Sequence, residues 1–128
     1  MTDTAPYLAT VVEHYRRPHN QRALAAPTHV HEGVNALCGD RIRMEVEVRD
    51  GDVADIAFAA SACAIATASA SLLTSRVRGL GVSSVLELDD ESMVSVLGAG
   101  VPAGRRGCAV LPLRVLRHAL GTTAGREA

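Results

Sequence analysis

The chain is predicted to fold as an α+β protein, a short antiparallel β-sheet covered by helices on one face. Three observations predict it. The stretch "RIRMEVEV" sets Ile42, Met44, Val46 and Val48 on one side and Arg41, Arg43, Glu45 and Glu47 on the other, the period-two pattern of a half-buried strand. After the turn residues Asp50-Gly51-Asp52, "VADIAFA" resumes with Ile56 and Phe58 in alternation, so the two segments form a hairpin. On either side of them the apolar spacing changes to that of helices.

In chain order, Tyr7, Leu8, Val11, Val12 and Tyr15 predict the apolar face of an amphipathic helix that Pro18 ends, with Glu13, His14 and Arg16 on its polar face. "THVHEGV" is a candidate edge strand. Beyond the hairpin, "AIATASASLLTSRVRG" carries Ile65, Leu72, Leu73 and Val77 among small residues, places arginines in its last turn and stops at Gly79, as a helix does. "SSVLELDDESMVSVLG" reads as one or two short helices, and "GAGVPAGRRG", residues 98 to 107, as a flexible connection. Val110, Leu113, Leu116 and Leu120 give the last helix, where Pro112 is tolerated near the first turn or as a kink, and the tail after Gly121 is expected to fray.

The 128 residues are expected to form one domain, residues 1–128, that buries about two-thirds of its extended-chain surface. A formal charge of -1, no basic block and only three aromatic residues (Tyr7, Tyr15 and Phe58) argue against nucleic acid as a partner. Ile56 to Leu73 is an uncharged run of 18 residues, but it is mostly Ala, Ser and Thr, too weakly apolar for a membrane span. The N-terminal residues lack the pattern of a secretory signal, and a cytoplasmic location is expected.

Three cysteines are poor material for a disulfide framework. Cys38, Cys63 and Cys108 each fall at a junction between elements, 25 and 45 residues apart, far from any ribbon or finger spacing. Spacing alone leaves two readings open, three small buried hydrophobes or ligands of a shared site. The predicted hairpin favours convergence of Cys38 and Cys63 at its base. A helix N-terminus would favour thiolate at Cys63 and at Cys108. On sequence alone Asp40, after Gly39, reads as a turn or cap residue in preference to a ligand. The histidines read as surface residues, and only His29 and His31, two apart on a strand face, could share a metal.

Four segments resemble the IscU/SufU/NifU-type iron-sulfur cluster assembly scaffolds, the NifU-like N-terminal domain family. They are "VVEHYRRPHN", "NALCGD", "DIAFAASACAIATASASLLT" and "RRGCAVLPLRVLRHAL", and the match runs in order through about 110 residues. The resemblance implies that Cys38, Asp40, Cys63 and Cys108 hold a transient [2Fe-2S] cluster or a zinc ion. Three thiolates and a carboxylate can complete either site, and the oxygen ligand, harder and weaker than sulfur, suits a cluster meant to leave.

The implied function is a scaffold that takes sulfur from a cysteine desulfurase and passes its cluster to apo iron-sulfur proteins or downstream carriers. The alternative is a zinc-dependent sulfurtransferase at the same site. Cys108, after glycines at 98, 100, 104 and 107 and beside Arg105 and Arg106, is the expected sulfur acceptor, on a mobile junction with a favoured thiolate. The chain departs from the family at Ala60 and Ala62, where glycines are common. Gly107 stands where many IscU members have histidine. Only Pro102 and Arg105 match the chaperone-recognition segment, so a dedicated chaperone is not expected. The long insertion of SufU members between the second and third cysteines is absent, although "CAVLP" and Arg105 look SufU-like.

Overall fold

The computed structural model describes residues 5–97, 101 and 103–126, with side chains described for 9–97, 101 and 104–121. Three strands, β1 (His29–Asn35), β2 (Asp40–Arg49) and β3 (Asp52–Ser61), form one antiparallel sheet in the order β1-β2-β3. The expected hairpin is β2–β3, with Met44 opposite Phe58 and Val46 opposite Ile56, and the candidate edge strand is β1. Alternation along β2 turns Asp40, Ile42, Met44 and Val46 inward and Arg41 and Arg43 outward. This places a carboxylate in the same row as the core residues.

Two helices cover the inner face. Helix α2 (Ala64–Val77) packs on β3, and α5 (Arg106–Arg126) lies across β1 and β2 and against α2. The short helices α3 (Val82–Leu86) and α4 (Asp90–Val96) pack on α5, and α1 (Ala5–Arg16) packs on α2. The architecture is the α+β class read from the sequence, with Phe58, Ile42, Met44, Ile56, Leu73, Leu113, Leu116 and Leu120 filling the space between sheet and helices. Truncating Leu73 to alanine there would cost about 2–5 kcal/mol.

Helix α2 is enclosed rather than amphipathic. Ala66, Thr67, Ala68, Ser69, Ala70, Ser71, Leu73, Thr74 and Val77 are all buried, which explains the uncharged run without a membrane. The small side chains let its neighbours approach closely, and their hydroxyls bond locally. Ser69 Oγ donates to the Ala109 carbonyl of α5 at 2.6 Å, and Thr74 Oγ1 donates to Ala70 at 2.9 Å. No helix among the described residues is long and apolar enough to cross a membrane.

The buried face of α1 differs from the expected one. Val11 is buried, but Val12 and Tyr15 are exposed, and the half-buried neighbour of Val11 is His14. The surface α1 meets on α2 is polar. His14 Nδ1 lies 2.8 Å from Ser71 Oγ, the His19 N–H donates to the same hydroxyl at 2.7 Å, and Asn20 Nδ2 donates to Thr74 Oγ1 at 3.0 Å. Burial, together with the facing His19, lowers the His14 pKa. Tyr7 and Leu8 lie outside the described side chains.

Of the expected flexible connection, Gly98, Ala99, Gly100 and Pro102 lie outside the described residues. Ala103–Arg105 form a 3-10 turn that runs directly into α5. Helix α5 continues past Gly121 to Arg126 and contains Pro112, which has no N–H to give the Cys108 carbonyl one turn earlier.

Candidate metal centre

The first cysteine sits in the loop joining β1 to β2. Asn35 organises that loop. Its carbonyl accepts the N–H groups of Cys38 at 3.3 Å and Gly39 at 2.7 Å, and its side-chain Oδ1 accepts the Leu37 N–H at 3.0 Å. Gly39 closes the turn at φ +77°, a conformation that costs an L side chain about 1–2 kcal/mol. The result is an exposed Cys38 thiol, followed by Asp40 at the first inward position of β2.

Asp40 is 5% exposed. Its Oδ1 accepts the Cys63 N–H at 3.0 Å, which joins the start of β2 to the start of α2. Its Oδ2 is buried and, among the described residues, makes no hydrogen bond of its own. Burial pushes the carboxyl up, but the Cys108 and Cys38 thiols and the Cys63 N–H together outweigh it and hold its pKa below the usual aspartate value. An ionised carboxylate beside two thiols is a donor set that could hold a metal ion.

Cys108 lies in the first turn of α5, 1% exposed, with its Sγ 3.6 Å from the Cys38 Sγ. One ligand atom each from Cys38, Asp40 and Cys108 lie within 4.8 Å of one another. Gly107 permits this approach. A β-carbon there would stand 2.9 Å from Asn35 Nδ2, so the amide fills the space beside the third cysteine. Asn35 is the functional residue that the sequence reading missed. Its signal was an asparagine at a strand end four residues before a glycine, ordinary turn chemistry whose second role depends on where α5 docks.

Cys63 borders the site without joining the trio. It is the N-cap of α2, and its Sγ accepts the Ala66 N–H at 3.5 Å. Its thiol still acts on both Asp40 and Cys108. The expected pairing of Cys38 with Cys63 is therefore indirect, made through Asp40, and the thiol that meets Cys38 is Cys108.

The expected activation of Cys108 is reversed. Burial, the largest effect, and hydrogen bonding with Asp40, Cys38 and Cys63 all raise its pKa, outweighing the helix N-terminus. The raised pKa opposes one ground for reading Cys108 as the sulfur acceptor, a favoured thiolate, while the other, a mobile 98–107 junction, falls partly on Gly98, Ala99, Gly100 and Pro102, outside the described residues. Arg105 is where the sequence suggested, exposed, with its positive charge favoured by the Cys108 and Cys63 thiols.

The alanines at family glycine positions carry no strain. β3 stays extended through Ala60 to Ser61, and neither Ala60 nor Ala62 has a positive φ. Of the two histidines two apart on β1, His29 Nδ1 lies 2.7 Å from Thr28 Oγ1, while His31 stacks on His118 of α5.

Comparison with known proteins agrees with this fold. The family model for the NifU-like N terminal domain matches residues 6–128. The chain is 34% identical over 130 residues to the iron-sulfur cluster assembly scaffold protein IscU of Streptococcus pyogenes serotype M1, covering 95% of this chain and 81% of that protein. It is also 34% identical over 83 residues to the zinc-dependent sulfurtransferase SufU of Bacillus subtilis, covering 61% of this chain and 55% of that protein. Among solved structures, a NifU-like N-terminal protein from Brucella abortus superposes with a TM-score of 0.79 at 19% identity, covering 98% of this chain and 99% of that one. The chain belongs to the NifU-like N-terminal domain family, whose matched members include iron-sulfur cluster assembly scaffolds.

Proposed function

We propose that the protein assembles a labile [2Fe-2S] cluster on Cys38, Asp40, Cys63 and Cys108, using sulfur from a cysteine desulfurase, and releases it to apo-proteins or downstream carriers in the cytoplasm. The observation that carries this reading is Asp40 Oδ2, buried without a partner within a group that includes two free thiols. Leaving a buried carboxylate oxygen bare costs stability that an arriving cation returns. The cluster is cargo here, and the mixed donor set suits cargo. Three thiolates hold iron firmly, whereas one carboxylate oxygen is the weak member of the set.

Exposure sorts the cysteines into an entrance and an interior. Cys38 is open to a donor protein, so its thiolate attacks the outer sulfur of the donor persulfide, forms a Cys38 persulfide and releases the donor thiolate. Cys108, 3.6 Å behind it, then attacks that outer sulfur. Cys38 leaves as thiolate and takes up the Cys108 proton, so sulfur ends on Cys108, the acceptor expected from sequence. Cys63 joins by turning its Sγ from the α2 cap, which frees the Ala66 N–H. An electron donor from outside the protein supplies two electrons per sulfur, which convert the persulfide sulfur to cluster sulfide and return Cys108 to a thiolate, and the exposed Arg105 offers a cation to the thiolates.

A second reading is zinc-dependent sulfur transfer at the same residues. The likeness to SufU and the exposed Cys38 favour it, since an outer ligand can exchange with an incoming thiol. Protein purified without oxygen and examined by metal analysis and visible absorption separates the two. Iron and sulfide with a visible chromophore are expected. A stoichiometric, colourless zinc form that accelerates desulfurase turnover would overturn the scaffold reading in favour of the second.

A further inference from the structure

We propose that His31 of β1 and His118 of α5 form a second binding site for a divalent transition-metal ion, separate from the cysteine centre. Their rings, 87 positions apart in sequence, lie with centroids 4.0 Å apart and planes tilted by 33°. His14, His19 and His29 each have a Ser or Thr hydroxyl as hydrogen-bond partner. Neither the His31 ring nor the His118 ring has a hydrogen bond to protein among the described residues. The two rings that face each other are thus the two with ring nitrogens left open.

Space and chemistry fit the assignment. The pair opens on a groove of about 460 Å³ between β1 and α5, which leaves room for the water molecules that complete a two-ligand coordination shell. Two nitrogens sharing a tetrahedral ion, each about 2.0–2.1 Å from it, lie roughly 3.3 Å apart. Sharing an ion in this way requires the stacked rings to part, their centroids moving from 4.0 Å to about 5 Å, and the exposed His118 side chain can turn outward to do so. Imidazole suits Zn²⁺, Fe²⁺ and Ni²⁺. Arg114 on the groove wall is paired with Asp90 at 2.9 Å, which offsets its repulsion of a metal ion.

Position gives the site its use. The same groove is lined by Asn35, Leu37 and Gly107, which flank Cys38 and Cys108. Along α5, Gly107 and His118 are separated by roughly 16 Å of helix. A weakly held ion at the histidine end is therefore stationed on the surface that leads to the cysteine loop.

Zinc is the probe. Protein already loaded with one equivalent is titrated with further zinc by calorimetry, as wild type, His31→Gln and His118→Gln. The wild type is expected to take a second, weaker equivalent, and each variant to bind it at least ten-fold less tightly while the first equivalent is unchanged. The first equivalent reports both folding and the cysteine centre, so failure of that centre is read apart from failure of this one. Absence of a second equivalent in the wild type, or equal affinity for it in both variants, would overturn the proposal and leave the two rings as packing alone.

Discussion

The Asp40 carboxylate accepts the Cys63 N–H through Oδ1 at 3.0 Å and leaves Oδ2 buried and unpartnered. Replacing Asp40 by alanine removes both the structural hydrogen bond and the weak ligand. The lost bond costs about 1 kcal/mol, offset by removal of a bare buried oxygen, so the unfolding midpoint of the metal-free protein should move little. The bound cluster should persist longer, because the ligand most ready to exchange is gone. Cluster absorbance followed in the presence of a chelator tests this, and faster decay in Asp40→Ala would contradict it.

The hairpin, α2 and the inward row of β2 were legible because alternation and period are local. Asp40 belongs to that row by parity with Ile42, Met44 and Val46, so its burial follows from the strand. The buried face of α1 was not legible, since the preference for His14 over Tyr15 comes from Ser71 on a helix 57 residues away. The roles of Asn35 and Gly107 were hidden for the same reason. Each depends on the docking of α5 against the first hairpin loop, and no periodicity in either segment carries that distance. Cys63 was legible as the residue before a helix, but the turn of its thiol onto the cap was not.

Gly107 and Asn35 should be energetically coupled. A β-carbon on residue 107 would stand 2.9 Å from Asn35 Nδ2, so Gly107→Ala is expected to destabilise by about 1–3 kcal/mol. Asn35→Ala loses the bond to the Leu37 N–H, about 1 kcal/mol, but removes the obstacle. Denaturant unfolding of both single variants and the double variant should show the double to be more stable than the sum of the singles. Strict additivity would mean that α5 does not dock on the loop as described.

Acid should loosen the attachment of α1. Burial and His19 lower the His14 pKa in the folded chain, so between that value and the unfolded value near 6.5 the unfolded chain binds more protons. The His14 contribution is full above about pH 6.5 and is lost as pH falls through this window. Thermal unfolding from pH 8 to pH 5 should show a decline that His14→Gln flattens. An identical slope in the variant would remove His14 from the account.

Sulfur should appear first on Cys38. That thiol is exposed, whereas Cys108 is 1% exposed with a raised pKa. Brief incubation with a desulfurase and cysteine, followed by mass spectrometry, should find persulfide on Cys38 before Cys108. In Cys108→Ser the persulfide should remain on Cys38. First labelling of Cys108, or its labelling in Cys38→Ser at the wild-type rate, would exclude Cys38 as the entrance.

The central claim is that four residues from three junctions serve one centre, although the thiol of Cys63 caps α2 here. X-ray absorption at the zinc edge of protein loaded with one equivalent counts the ligands directly. The account expects three sulfurs at about 2.3 Å and one oxygen at about 2.0–2.2 Å, with Cys63→Ser reducing the sulfur count by one. Two sulfurs in the wild type, unchanged by Cys63→Ser, would show that Cys63 remains on its helix and that the four-ligand centre does not form.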